Sequence, residues 1–200
     1  MRFKFIYTLK LLPVLVSVFL LFSCTSEPVK KAPDPAQKKQ VVIVIDAAVK
    51  TQFSTALFAL KAENYAEAIR ILEKLISVEK RMPAPYINLA MAYAKTGEQK
   101  KAEVYLLGAL KIDLVHPVAN NQLGLLYRKQ GKFADARKAY TNALTKHPDY
   151  LPVLKNLGIL CELYLRDLSC AMEQYEHYQS LQPDDKTMKI WISDLGQRLK

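Results

Sequence analysis

The segment Asn88–Ala109, NLAMAYAKTGEQKKAEVYLLGA, returns 34 residues later as Gln122–Ala143, QLGLLYRKQGKFADARKAYTNA. Aligned, Leu89 and Ala90 fall on Leu123 and Gly124, Tyr93 on Tyr127, Gly97 on Gly131, Ala102 on Ala136 and Ala109 on Ala143. The interval reaches back to Ala68 and forward to Leu157 and Gly158. Each copy reads as two amphipathic helices around a glycine-containing turn. A unit of this size cannot bury its own apolar face, so copies must stack into a solenoid that shares one core.

Packing explains the residue types. Small side chains, Ala90 with Ala102 and Gly124 with Ala136, let two antiparallel helices approach closely, while Tyr93, Leu106, Tyr127 and Tyr140 fill the space around the crossing. Gly97 and Gly131 end the first helix of each pair in a left-handed backbone angle. Pro83, Pro117 and Pro148 mark unit ends, where a missing N–H costs little. The recurring Leu, Ala, Tyr and Gly positions are therefore core and not a binding site.

This order of leucine-small, aromatic, glycine, alanine, alanine and proline resembles the tetratricopeptide repeat (TPR). Two units carry it fully, Pro83 to Leu114 and Pro117 to Pro148. An earlier unit, Val49 to Lys80, keeps Ala56, Tyr65, Ala68 and Leu72, with Ala59 in the tyrosine place and Asn64 near the turn glycine. A later unit, Leu151 to Pro183, keeps Leu157, Gly158 and Pro183, but Ala171 arrives one residue late, which predicts an extra residue in the turn around Leu165 to Leu168. Met188, Trp191, Ile192, Leu195 and Leu199 then lie at helical spacing. The resemblance implies an all-α, right-handed superhelical solenoid of about four helix-turn-helix units over residues 46–183. A helix over residues 184–200 would cap the open end.

Residues 1–23 read as a secretory signal: Arg2, Lys4 and Lys10 precede an uncharged apolar run, Leu11 to Ser23, too short for a full membrane span. Leu21-Phe22-Ser23-Cys24 resembles the lipobox of bacterial lipoproteins, which implies acylation of Cys24, with palmitate among the lipids, in a Gram-negative envelope. An ordinary signal peptide or an uncleaved anchor is the alternative. Thr25, where the inner-membrane retention signal would place aspartate, points to the outer membrane facing the periplasm. Residues 24–45 form a tether: Pro28, Pro33 and Pro35 alternate with Lys30, Lys31, Lys38 and Lys39, a composition that buries no core. Two readings stay open for the β-branched run Val41 to Ile45, extended along the first helix pair or paired with a partner's strand edge.

The net charge of +10 falls to +7 without the three basic residues of the signal. Export disfavours nucleic acid as a partner, and no basic run interleaved with aromatics is present. Anionic lipid, peptidoglycan or an acidic protein face suits the charge better. Cys161 and Cys170 lie on the two arms of the fourth hairpin, Cys161 where earlier units place tyrosine. An oxidising periplasm would allow a disulfide there if their Cα atoms come within about 7 Å; two buried thiols is the alternative.

No catalytic constellation is found. His116, His147 and His177 are scattered, the first two before prolines in loop positions, and no glycine-rich phosphate loop or nucleophile motif occurs. The sequence predicts no enzyme, no cofactor and no metal site. In stacks of this kind the first helix of each pair lines a concave groove. Candidate groove residues are Phe53 and Leu57, then Ile87, Asn88 and Met91, then Asn121, Leu125 and Arg128, then Lys155, Asn156, Ile159 and Glu162. Apolar, amide and cationic groups together suit a protein or extended peptide partner. Lys61, Lys95 and Lys129 recur every 34 residues near the ends of first helices, either complementing the helix dipole or facing a ligand.

The leading expectation is a lipid-anchored periplasmic adaptor or scaffold in a cell-envelope complex. The mature chain is similar to small TPR lipoproteins of the kind associated with TonB/ExbB-like energised transport or gliding-type machinery. Alternatives are a pilotin-like assembly factor for an outer-membrane secretin of a type IV pilus or secretion system, and a regulator of peptidoglycan enzymes.

Overall fold

The computed structural model describes residues 45–200. The signal peptide, Cys24 and the tether up to residue 44 lie outside the described residues. Helices α1 (Ala47–Lys61) and α2 (Tyr65–Val78), α3 (Pro83–Lys95) and α4 (Gln99–Ile112), α5 (Pro117–Lys129) and α6 (Phe133–Leu144), and α7 (Leu151–Ile159) and α8 (Leu168–Leu181) form four antiparallel pairs. Helix α9 (Lys186–Arg198) closes the stack. This is the all-α solenoid of helical pairs that the resemblance implied. Among the described residues no helix is long and apolar enough to cross a membrane.

Local chemistry sets the helix boundaries. Carboxylates of Asp46, Asp167 and Asp185 accept the backbone N–H of Ala48, Cys170 and Met188, so α1, α8 and α9 begin on side-chain caps. Pro83 and Pro117 are the first residues of α3 and α5, where the lost N–H had no partner. Pro148 differs from its counterparts: α7 starts later, at Leu151, and carries Pro152 in its first turn. His116 is not a solvated loop residue. Its Nδ1 accepts the Ala119 N–H at 3.4 Å as the cap of α5, and burial lowers its basicity.

Each pair turns on one residue with positive φ: Glu63 at 57°, Gly97 at 88°, Gly131 at 74° and Arg166 at 54°. In the first three, the next N–H returns to a carbonyl five residues back, as Asn64 to Ala59, Glu98 to Tyr93 and Lys132 to Tyr127. In the fourth the bond runs from Asp167 to Cys161, one residue wider. The extra residue therefore sits upstream of the expected turn, taken up by a π-helical segment, Leu160–Leu165, that continues α7. Glu63 and Arg166 hold the left-handed geometry with a Cβ, which costs roughly 1 kcal/mol or more at each. Glu63→Gly and Arg166→Gly should each raise stability by about 0.5–1 kcal/mol, seen as a melting temperature higher by roughly 2–4 °C. A fall in either variant would show that the side chain contributes more than its backbone conformation costs.

The core lies between the two helices of each pair and falls into two clusters, both touched by Tyr127. At the closest crossing the small residue is Ala56, Ala90, Gly124 and Gly158 in successive units. The large residue at the facing repeat position is Leu72, Leu106, Tyr140 and Tyr175. The two series change together. A Cβ on Gly124 would stand 2.7 Å from Cδ1 of Tyr140, and one on Gly158 2.6 Å from Cδ1 of Tyr175, so glycine leaves the room that the rings occupy. Helix α9 packs Met188 and Leu195, with 1% and 0% exposure, against the last pair. Leu199, just past the helix end, remains exposed.

Candidate binding groove

First helices α1, α3, α5 and α7 neighbour one another along one side of the stack, with α9 following α8 as a first helix of a further unit would. Tyrosine hydroxyls join successive units: Tyr93 donates to Glu73 of the preceding unit at 2.5 Å and Tyr127 to Glu103 at 3.1 Å. Burial foremost, then Glu103, pushes the Tyr127 hydroxyl up to about 12, so it remains a donor at neutral pH. Ala59 and Cys161, in the same repeat position, cannot make this link.

The candidate residues divide into groups. Ile87 was expected on the groove surface, but at 3% exposure it is core, covered by the neighbouring first helices. Asn121 is also buried, at 5%, and its Oδ1 accepts the Asn156 amide at 2.9 Å, tying α5 to α7. The Asn88 amide donates to Ala84 O of its own helix. Each of these amides thus has one of its polar groups engaged inside the protein. Phe53, Asn156 and Ile159 are half-buried, whereas Leu57 and Met91 are exposed.

At the C-terminal end the groove side chains are engaged by α9. Lys155 Nζ lies 5.3 Å from the centre of the Trp191 ring. Glu162 accepts Tyr175 OH at 3.0 Å through one oxygen and pairs with Arg198 through the other.

Between α3 and α5 the structure leaves a cavity of about 430 Å³. Three sequence candidates line it, Met91, Leu125 and Arg128. Sequence reasoning missed Gln122 and Tyr164, and left Lys95 and Lys129 undecided between helix-dipole and ligand roles. Both lysines do sit in the last turns of their helices. The signal for Tyr164 was present in the 35-residue step from Ala136 to Ala171. The added residue widens the end of α7 and sets the Tyr164 ring 5.8 Å from the Arg128 guanidinium carbon. Cys161 and Cys170 form a disulfide, Cα–Cα 5.9 Å, which fastens that segment to the start of α8.

Residues 59–119 and 117–150 match two models of the tetratricopeptide repeat, so the helical units within residues 59–150 are TPR units. Over 89 residues, 44% of this chain, it is 37% identical to the N-terminal acetyltransferase A complex auxiliary subunit NAA15 of Arabidopsis thaliana. The match covers 10% of that protein's length. Among solved structures, pilF of Pseudomonas aeruginosa superposes with a TM-score of 0.68 at 21% identity, covering 76% of this chain and 68% of that one. YrrB, described as a TPR protein with an unusual peptide-binding site, superposes with a TM-score of 0.59 at 19% identity, covering 74% of this chain and 75% of that one. TPR domains bind protein or peptide partners and are typically scaffolds without catalytic activity.

Proposed function

We propose that this chain is a lipid-anchored adaptor that holds a cell-envelope protein in the groove formed by its first helices. The observation that carries the reading is the contrast along that face: Leu57, Met91, Leu125 and Ile159 keep one repeat position apolar in every unit although Leu57 and Met91 are 40% and 39% exposed, while the position of Arg128 changes, being Leu60, Ala94 and Glu162 in the other units. Large apolar side chains clustered along a concave face mark a recognition surface. The sequence around Cys24 supports the anchor, and the tether behind it would let the groove search for a partner at some distance from the membrane.

A photo-crosslinking amino acid at Met91 or Leu125 tests this, with Lys138, exposed on a second helix, as the control position. The expected result is an adduct with a discrete envelope protein from the groove positions only, and release of the protein from membranes by Cys24→Ser. Transport components in the adduct would favour the energised-transport setting. Secretin subunits would favour the pilotin-like role, and cell-wall hydrolases or synthases the regulatory one. Equal labelling from Lys138, or no adduct from any position, would count against the groove. Retention of Cys24→Ser on membranes would count against the anchor.

A further inference from the structure

On α4, Lys100, Val104, Leu107 and Lys111 follow one another at steps of four, three and four residues, which places them on one stripe. The opposite side of the helix carries Ala102, Leu106 and Ala109 into the core, so the stripe faces away from the stack. Val104 and Leu107 are 64% and 41% exposed, and both lysines are exposed. Among the described residues no other two exposed large apolar side chains stand one helical turn apart on a common face. Leu114, in the turn that follows α4, is 70% exposed.

The other second helices treat these repeat positions differently. In α2 they are Ala66, Arg70, Glu73 and Ser77, and in α8, allowing for the added residue, Ser169, Glu173, Glu176 and Ser180. In α6 they are Ala134, Lys138, Thr141 and Thr145. The outer stripes of α4 and α6 thus carry three lysines and no carboxylate, whereas those of α2 and α8 carry acids. By helical angle Glu103 and Asp135 stand on the flanks, and Glu103 already accepts the Tyr127 hydroxyl.

Three occupants can be compared for a face of this composition. A second copy laid symmetrically on it would bring like charges together. Protein partners favour surfaces rich in Tyr, Trp, Met and Arg and poor in Lys, the reverse of Val, Leu and Lys. An anionic bilayer suits both parts: short aliphatic side chains enter the headgroup boundary, while lysine stems lie along it and bring their ammonium groups to the phosphates. From Cys24 to Ile45 the chain can span roughly 70 Å when extended, enough for an anchored chain to lay α4 on the membrane.

We infer that the outer face of α4, extended by Lys138 of α6, docks on an anionic membrane surface. The inference rests on the lipid-anchored reading above and adds how the anchored chain stands: the second helices meet the lipid, and the groove of the first helices is turned away from it.

The full chain, reconstituted in vesicles, would carry a nitrobenzoxadiazole amino acid at Leu107 or at Glu176, the same repeat position in α8. With phosphatidylglycerol in phosphatidylcholine, the Leu107 probe should brighten roughly twofold, shift to the blue and be quenched by lipids brominated in their acyl chains. The Glu176 probe should not change. The gain should be lost on phosphatidylcholine alone and at high salt. Lys100→Glu with Lys111→Glu and Lys138→Glu should abolish it, and so should Val104→Asp, with flotation on the vesicles and the melting temperature unchanged. Equal gains from both probe positions, or on phosphatidylcholine alone, would overturn the inference. A gain without vesicles that rises with protein concentration would overturn it in favour of a second copy, and one that requires added envelope proteins in favour of a protein partner. No gain in a chain that floats with the vesicles would overturn the docking and leave the anchor standing. A chain that does not float would overturn both.

Discussion

Gly124→Ala should lower the melting temperature by roughly 6–12 °C, and adding Tyr140→Leu in the same chain should recover most of the loss. The methyl group would point into the Tyr140 ring, which has 0% exposure and neighbours on every side, so neither helix can yield without opening the pair. Overpacking of this kind costs about 3 kcal/mol at the upper end of its range. Tyr140→Leu alone should also destabilise, by removing ring contacts and leaving a cavity, although it relieves a buried hydroxyl with no partner. Together the two substitutions recreate the Ala–Leu combination that the first two units already use. The decisive quantity is the coupling between them, expected at about 2 kcal/mol in favour of the double variant. A double variant no more stable than the worse single would refute the pairing of the two series.

Replacing Cys161 and Cys170 together by alanine should cost about 2.5 kcal/mol, the closure entropy of so short a loop. The larger interest is where the loss appears. In a stack whose units touch only their neighbours, the effect should stay near the site. Amide exchange should therefore accelerate in α7, the π-helical segment, α8 and α9, and be unchanged in α1 to α4. It should also loosen Tyr164, which stands between the disulfide and the cavity, so affinity for a groove ligand should fall with stability. Uniform acceleration through all nine helices of the described residues would show that the stack unfolds as one cooperative unit, and no change would show that the bond is energetically idle.

Most of the architecture was legible because the repeat compares the chain with itself. Gly97 and Gly131 predicted their turns by residue type alone. Glu63 and Arg166 occupy the same left-handed position with residues that give no such signal, and only the period points to them. The late arrival of Ala171 revealed an extra residue but not its place. A wider helix and a longer turn produce the same shift in the sequence, and hydrogen bonding chose the helix. Within the groove, periodicity put the candidate side chains on one face but could not say which of them the next helix covers. Ile87 and Asn121 were lost to burial in this way, while Lys155 and Glu162 acquired partners on α9 from beyond the repeats. Tyr164 was missed because helical spacing extrapolated through the end of α7 does not bring it to Arg128.

The paired change from Ala–Leu to Gly–Tyr also limits how such a chain could have diversified. If α4 and α6 were exchanged, Ala90 would meet a tyrosine and Gly124 a leucine, giving one collision and one void. Exchange of the whole segments 83–114 and 117–148 would keep each match intact. The hairpin is thus the smallest piece that duplication or recombination could move with its helix crossing intact, and neither of its halves is an independent module.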